Sequence, residues 1–349
     1  MTSPQTPTNE TPRGRKALAM MLRYGIPIVI TVGLCHVLLR GLDVRQMWQT
    51  VCRECNFTWI GINALLLITA MVARALRWRI QLKALGIKAG VWTLTLSVFG
   101  TYAVNLVFPR LGEVWRTGYV AQRYRAPFGT VFGSMVADRL TDTIAVGLIS
   151  LLAMLMAGTQ VMSFLGQSAG AGALVAGLLK SPLVWGVVCT LIFIIIALFK
   201  RYRRHRIVVA VVNVWHELWH GFAVIAAMPG KGQWLIYTLI IWLSYFVGLG
   251  CAFMAFPLTA QVLATHGLTA LLVCFVLTSL SMLVPSNGGI GPWQWAMVWG
   301  LGLYKAGVAG LDHAYMVMFA NLALGVQTVM SIVLGLLTFT CIALNRNRQ

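Results

Sequence analysis

Acidic residues are scarce in this chain. Asp and Glu together number eight in 349 residues, and all charged residues make up only 10%. A soluble domain of this length carries far more charge, so a soluble fold is excluded. No G-x-G-x-x-G fingerprint follows a strand pattern and no ATP site is visible, so no nucleotide cofactor is expected. No small-x-small site closes the first apolar run, and Leu34 directly before Cys35 does not fit a lipoprotein cleavage box, so the first helix is expected to be retained. No stretch reads as a soluble catalytic domain, and no enzymatic activity is expected. Cysteine is equally uninformative: Cys35, Cys189, Cys251, Cys274 and Cys341 lie in apolar runs, where the thiol acts as a small hydrophobe. Cys52 and Cys55 form one C-x-x-C without a second pair or adjacent histidines, a weak metal signal. Two plain loop cysteines, or a local disulfide in an oxidising compartment, are the readings that remain.

What is present is apolar surface. Hydrophobic residues account for 59% of the chain, with 13 tryptophans. The sequence is that of an integral membrane protein, expected in a bacterial plasma (inner) membrane. The net charge is +19, gathered into short clusters beside apolar runs rather than on one soluble face. That placement points to anionic lipid headgroups and to the cytoplasmic side of a membrane, not to nucleic acid.

Residues 1–23 are Thr/Pro/Asn-rich and then basic, and are expected to form a disordered cytoplasmic tail. A single membrane domain is expected over 24–344, with a first half at 24–199, an interfacial amphipathic segment at 207–228 and a second half at 234–344. Residues 345–349 are expected to be a second cytoplasmic tail. Spans are read at 24–39, 57–76, 128–156, 183–199, 234–253, 258–284 and 316–344. The second of these is expected to end in a cytoplasmic basic cluster of Arg74, Arg77, Arg79, Lys83 and Lys88. Counting 91–108 as a further full span would put the basic cluster at 200–206 outside. The charge rule is kept if 91–126 dips into the membrane and returns to the side it left, with Pro109 and Gly112 supplying the bend. A second break falls at 285–292 (PSNGGIGP), in a comparable place in the other half. Matched breaks of this kind point to a binding site between repeats, whereas isolated ones are kinks at membrane surfaces. The fold expected is all-α and polytopic, with about eight transmembrane helices and two Pro/Gly-broken or re-entrant segments, compatible with an inverted repeat. Both termini are expected to be cytoplasmic.

The first candidate for chemistry is Asp138, Arg139 and Asp142. Ten residues into a helix is about 15 Å of rise, close to the bilayer middle. Asp138 and Asp142 share a face, and Arg139 reaches Asp142 at i, i+3. This leaves one negative charge over, to be met by a proton, an ion or another cation, with Arg110 and Arg116 nearest in sequence. Either an inert brace between helices or a site for substrate or proton coupling fits. Arg74 and Trp78 share a helical face and Arg77 lies beside them; they are read either as topology-setting charge or as phosphate ligands. Gly288, Gly289 and Gly291 free backbone N–H groups near a helix start, where Asn287 and Gln294 are placed to donate to an anion; a plain flexible turn is the rival. His216-Glu217-Leu218-Trp219-His220 matches the H-E-x-x-H zinc signature. No glutamate follows Glu217, and the stretch is amphipathic, so an interfacial face is the preferred reading and an intramembrane zinc protease the lesser one.

Together these residues resemble the flippase-like transmembrane region of the lysylphosphatidylglycerol synthase family. The resemblance rests on ARALRW at 73–78, N-x-x-x-P-R-x-G-E-x-x-R at 105–116, D-R-x-x-D at 138–142 and P-x-x-G-G-x-G at 285–291, in that order. It implies an inverted-repeat helical fold whose central cavity is lined by Asn105, Pro109, Arg110, Gly112, Glu113, Arg116, Asp138, Arg139, Asp142, Gly288, Gly289 and Gly291. Arg110 lies one position early for the usual arginine, and Gln294 stands where relatives often carry a glutamate. The chain resembles a stand-alone member without the soluble synthase domain. The resulting expectation is a translocase that binds an anionic phospholipid or polyprenyl-phosphate headgroup, with Arg74 and Arg77 among its ligands and no metal or cofactor. The alternative is a non-transporting scaffold that partners enzymes of envelope or glycolipid synthesis; nothing in the sequence sets the oligomeric state.

Overall fold

The computed structural model describes residues 52–167, 228–284 and 286–346, together with Gly186 and Thr190. The reads at 24–39, 183–199, 200–206 and 207–228, including His216 and His220, lie outside the described residues apart from Gly186, Thr190 and Met228. Among the described residues there is no strand, and eight helices follow one another. They are α1 (Phe57–Ala84), α2 (Val91–Val107), α3 (Leu111–Arg123), α4 (Phe128–Gln167), α5 (Lys231–Met254), α6 (Pro257–Ser281), α7 (Pro292–Leu303) and α8 (His313–Arg346). Five of them, α1, α4, α5, α6 and α8, are long and apolar enough to cross a membrane. Leu140, Ile144, Leu148, Leu151 and Leu155 make an exposed apolar stripe along one face of α4, as a helix facing lipid requires.

Helix α1 corrects the expected end of its span. The apolar run stops at Leu76, but the helix continues for two more turns to Ala84. Its start is capped by the Asn56 side chain, which accepts from Thr58 N at 3.1 Å. Its end is a Schellman turn: Gly86, at φ 79°, donates to Lys83 O and Ile87 N donates to Leu82 O. The stop signal is therefore that glycine and not the first basic residue. Arg74 and Arg77, expected at the cytoplasmic end of the span, are buried inside the protein.

Helices α2 and α3 form an antiparallel hairpin. A Cβ on Gly100 would lie 2.4 Å from the Trp115 ring, and one on Gly112 would lie 2.2 Å from Thr101 O. These glycines let the two helices approach to backbone contact. At the open end Gly90 N donates to Tyr124 Oη at 2.8 Å, and Arg79 of α1 donates to Ala89 O at 3.1 Å. The segment 91–126 thus returns to the end of α1 that it left, as expected from the charge rule. The bend is made by Arg110, which takes the left-handed conformation at φ 60°.

Helices α6 and α7 fold back in the same manner. Gly300 packs against Cys274, and the His266 ring lies 5.3 Å from that of Tyr304. Helix α6 is kinked at Gly267 (φ 64°). This hairpin opens toward the other end of α1, where Asn56 N donates to Ala255 O. The two tips meet. Gly288 N donates to Asn105 O at 3.0 Å, a Cβ on Gly288 would lie 2.5 Å from Leu106, and Arg110 donates to the carbonyls of Leu283 and, at 3.4 Å, Met282. A cation at those terminal carbonyls also suits the negative end of α6.

Helix α8 runs along both hairpins. Its first half places Phe319 against Phe253 and Phe256 and Asn321 against Gln294. Its second half places Gly335 against Ala103, Thr338 on Leu96 O and Phe339 against Trp115. Around the second hairpin the core is almost wholly apolar. The buried charge is beside the first.

Candidate functional site

Helices α1 and α4 lie antiparallel, so Trp78, Arg77 and Arg74 meet Ser134, Asp138 and Asp142 in turn. Trp78 Nε1 donates to Ser134 Oγ at 2.9 Å. Arg77, fully buried, bridges both carboxylates: its Nη2 lies 2.7 Å from Asp138 Oδ1 and 2.8 Å from Asp142 Oδ1. Its Nη1 reaches Thr238 Oγ1 of α5 at 3.4 Å, and its guanidinium sits over the Trp234 ring. Arg74 Nη1 donates to Asp142 Oδ2 at 2.5 Å. Tyr245 and Tyr102 lie beside Arg74, their hydroxyls 3.0 Å apart. Every ion pair here is shielded from water, so the geometry is strongly held.

Arg116 of α3 differs from its neighbours. Its side chain is 0% exposed, it stacks over the Trp78 ring at 4.3 Å, and none of its three guanidinium nitrogens has a hydrogen-bond partner. Asp138 Oδ2 is 4.0 Å away, beyond hydrogen-bond reach, and itself has no donor. Arg74 Nε and Arg139 Nε are likewise buried without an acceptor. Arg139 and Glu113 close the outer edge at 3.1 Å, and Arg139 Nη1 lies 3.6 Å from Asp142 Oδ2. This edge is the open side of the cluster: the Arg139 side chain is 35% exposed and that of Glu113 19%. The exposed apolar residues Val136, Leu140, Leu111 and Val114 on the same two helices flank it in sequence.

The charge balance reverses the expectation. Arg139 does reach Asp142, but the carboxylates on α4 are neutralised from α1, by Arg74 and Arg77, and no negative charge is left over. Among the described residues the cluster holds four guanidiniums (Arg74, Arg77, Arg116, Arg139) and three carboxylates (Asp138, Asp142, Glu113), an excess of one cation. Arg110 is not part of it, because its guanidinium is held at the hairpin tips. Asn105 is a bracket for the bend: its Oδ1 accepts from Gly112 N at 2.8 Å and its Nδ2 donates to Glu113 at 3.4 Å.

The second Gly-rich break is also structural in its hydrogen bonds. Gly288 N is bound to Asn105 O, Ile290 N to Asn287 O, and Gly291 N to Gln294 Oε1 at 2.5 Å. Gln294 Nε2 donates to Asn321 at 2.9 Å. These donors were expected to face an anion, but protein acceptors occupy them, so Gly288, Gly291 and Gln294 stand apart from the arginine cluster. Gly289 keeps a left-handed φ of 90° in the same turn. Cys52 and Cys55 are free thiols, not a disulfide. Among the described residues no group of three or more His, Cys, Asp or Glu is placed to hold a metal ion.

Tyr102, Thr238, Ser134 and Tyr245 join the site without having been singled out in the sequence. Neutral polar residues in an apolar run give no charge signal; only their helical spacing relative to the arginines and aspartates marks them.

The family model described as the lysylphosphatidylglycerol synthase TM region matches residues 25–335. The chain belongs to this family. Comparison with curated proteins and with solved structures gives no significant match. The family's matched region takes in both hairpins, the charge cluster and the tip contacts.

Proposed function

We propose that this family member binds the anionic headgroup of a membrane lipid in the arginine cluster and moves that lipid between leaflets. The observation that carries this reading is Arg116: a fully buried guanidinium with no hydrogen-bond acceptor, at the centre of a cluster with an excess of positive charge. Burying an uncompensated cation costs several kcal/mol, on the order of a whole interaction network, and an oxyanion from a ligand offsets that cost. Phosphate oxygens match the fork of N–H donors that the guanidiniums present. The half-exposed Arg139–Glu113 edge gives the headgroup a way in from the side while acyl chains stay in lipid. The basic end of α1 then faces the cytoplasm of a bacterial plasma membrane, by the positive-inside rule.

The test is transport in proteoliposomes with acyl-labelled phospholipids. Wild-type protein is expected to equilibrate labelled anionic lipid between leaflets, and Arg116→Met to slow this by at least about tenfold while leaving the fold intact. Equal rates for the two proteins contradict the reading.

A further inference from the structure

The excess charge specifies the cargo more narrowly, and this inference rests on the reading just given. We infer that the headgroup carries a single net negative charge, as a phosphodiester does, and that zwitterionic headgroups and phosphomonoesters are discriminated against.

The cluster is closed on its inner side: Arg77, Asp138 and Arg116 are fully buried, and Asp142 and Arg74 nearly so. Within such an enclosure net charge must be close to zero, because water cannot screen what remains. Asp142 is held by Arg74 and Arg77, Asp138 is held through Oδ1 by Arg77, and Glu113 is paired with Arg139. Arg116 is the one guanidinium of the four whose nearest carboxylate lies beyond hydrogen-bond reach. Arg74 and Arg139 are its like-charged neighbours. One bound negative charge neutralises the enclosure. A zwitterionic phospholipid brings its phosphate together with an ammonium group that the surrounding guanidiniums repel. A phosphomonoester, with a second ionisation near pH 6, brings roughly one to two charges and over-fills the site. Its extra charge also meets Glu113 at the open edge. Glu113 is thus a specificity-determining residue: it pairs with Arg139 and sets the excess at one rather than two.

The experiment uses the full chain in phosphatidylcholine vesicles at about pH 8, where phosphomonoesters are mostly dianionic. Trace acyl-labelled phosphatidylglycerol, phosphatidylethanolamine and phosphatidic acid report transport separately. Phosphatidylglycerol is expected to move at least about tenfold faster than either of the others. Glu113→Gln, which raises the excess to two, is expected to shift the ratio of phosphatidic acid to phosphatidylglycerol in favour of the dianion by a similar factor. Phosphatidylethanolamine or phosphatidic acid moving as fast as phosphatidylglycerol, with all rates still dependent on Arg116, overturns this inference and leaves the transport reading standing. An unchanged lipid ratio in Glu113→Gln overturns the charge-matching basis. No movement of any lipid overturns both.

Discussion

Replacing Arg77 and replacing Arg116 are expected to have different consequences, although both guanidiniums are fully buried. Arg77 holds two carboxylates and a threonine hydroxyl, so Arg77→Ala leaves Asp138 and Asp142 under-compensated. A loss of about 3–5 kcal/mol in stability is expected, read as a fall in thermal unfolding temperature in detergent. Arg116 makes no hydrogen bond, so exchanging it for Met is expected to leave the lipid-free protein as stable as the wild type or to stabilise it by up to about 4 kcal/mol. Comparable losses for the two variants would mean that Arg116 is a structural brace. The ionisable residues Asp138, Arg139, Asp142, Arg116 and Glu113 were legible because charge in an apolar run announces itself. The sign of the imbalance was not, because it depends on Arg74 and Arg77, more than sixty residues away in sequence, packing against α4.

The hairpins stand or fall with their glycines. Gly112 sits where a Cβ would come within 2.2 Å of a backbone carbonyl, and backbone cannot step aside as a flexible side chain can. Gly112→Ala is expected to cost about 1–3 kcal/mol and to widen the bend next to Glu113. Gly118, on the same helix, has open space around its Cβ position, so Gly118→Ala is expected to be neutral or to stabilise by up to about 1 kcal/mol. Thermal unfolding of both variants checks the pair, and equal effects would contradict the close approach. Both breaks were visible as Pro and Gly clusters in the sequence. That their tips touch through Gly288, Asn105 and Arg110 was not, since the contact joins residues from the two halves of the chain. Likewise the true end of α1 was set by Gly86 through local turn geometry, a signal that hydropathy overrides when a run is read for apolar length alone.

At the scale of the molecule, two antiparallel hairpins enter from opposite ends of α1 and meet tip to tip beside α8. Among the described residues the charge cluster adjoins only one of them, so the two hairpins differ in chemistry. The two breaks were legible as matched Pro/Gly interruptions; the difference in chemistry follows from Arg116 and Glu113 in one hairpin against Gln294 in the other. The hairpin reading predicts sidedness. Cysteines introduced at the exposed Lys88 and Gln122 are expected to react with a membrane-impermeant maleimide from one face, and the exposed native Cys52 from the other. Cys55, half-buried with its thiol pushed up by burial, is expected to react more slowly than Cys52 and to speed up as pH rises toward that higher pKa. Labelling of positions 88 and 122 from opposite faces would make α2 and α3 something other than a re-entrant pair. The most direct measurement of the whole scheme is the lipid that stays with the purified full chain, identified by mass spectrometry for wild type and Arg116→Met at matched thermal stability. A singly anionic phospholipid retained by the wild type and lost from the variant is the predicted result; the same lipid retained equally by both would contradict a headgroup site at Arg116.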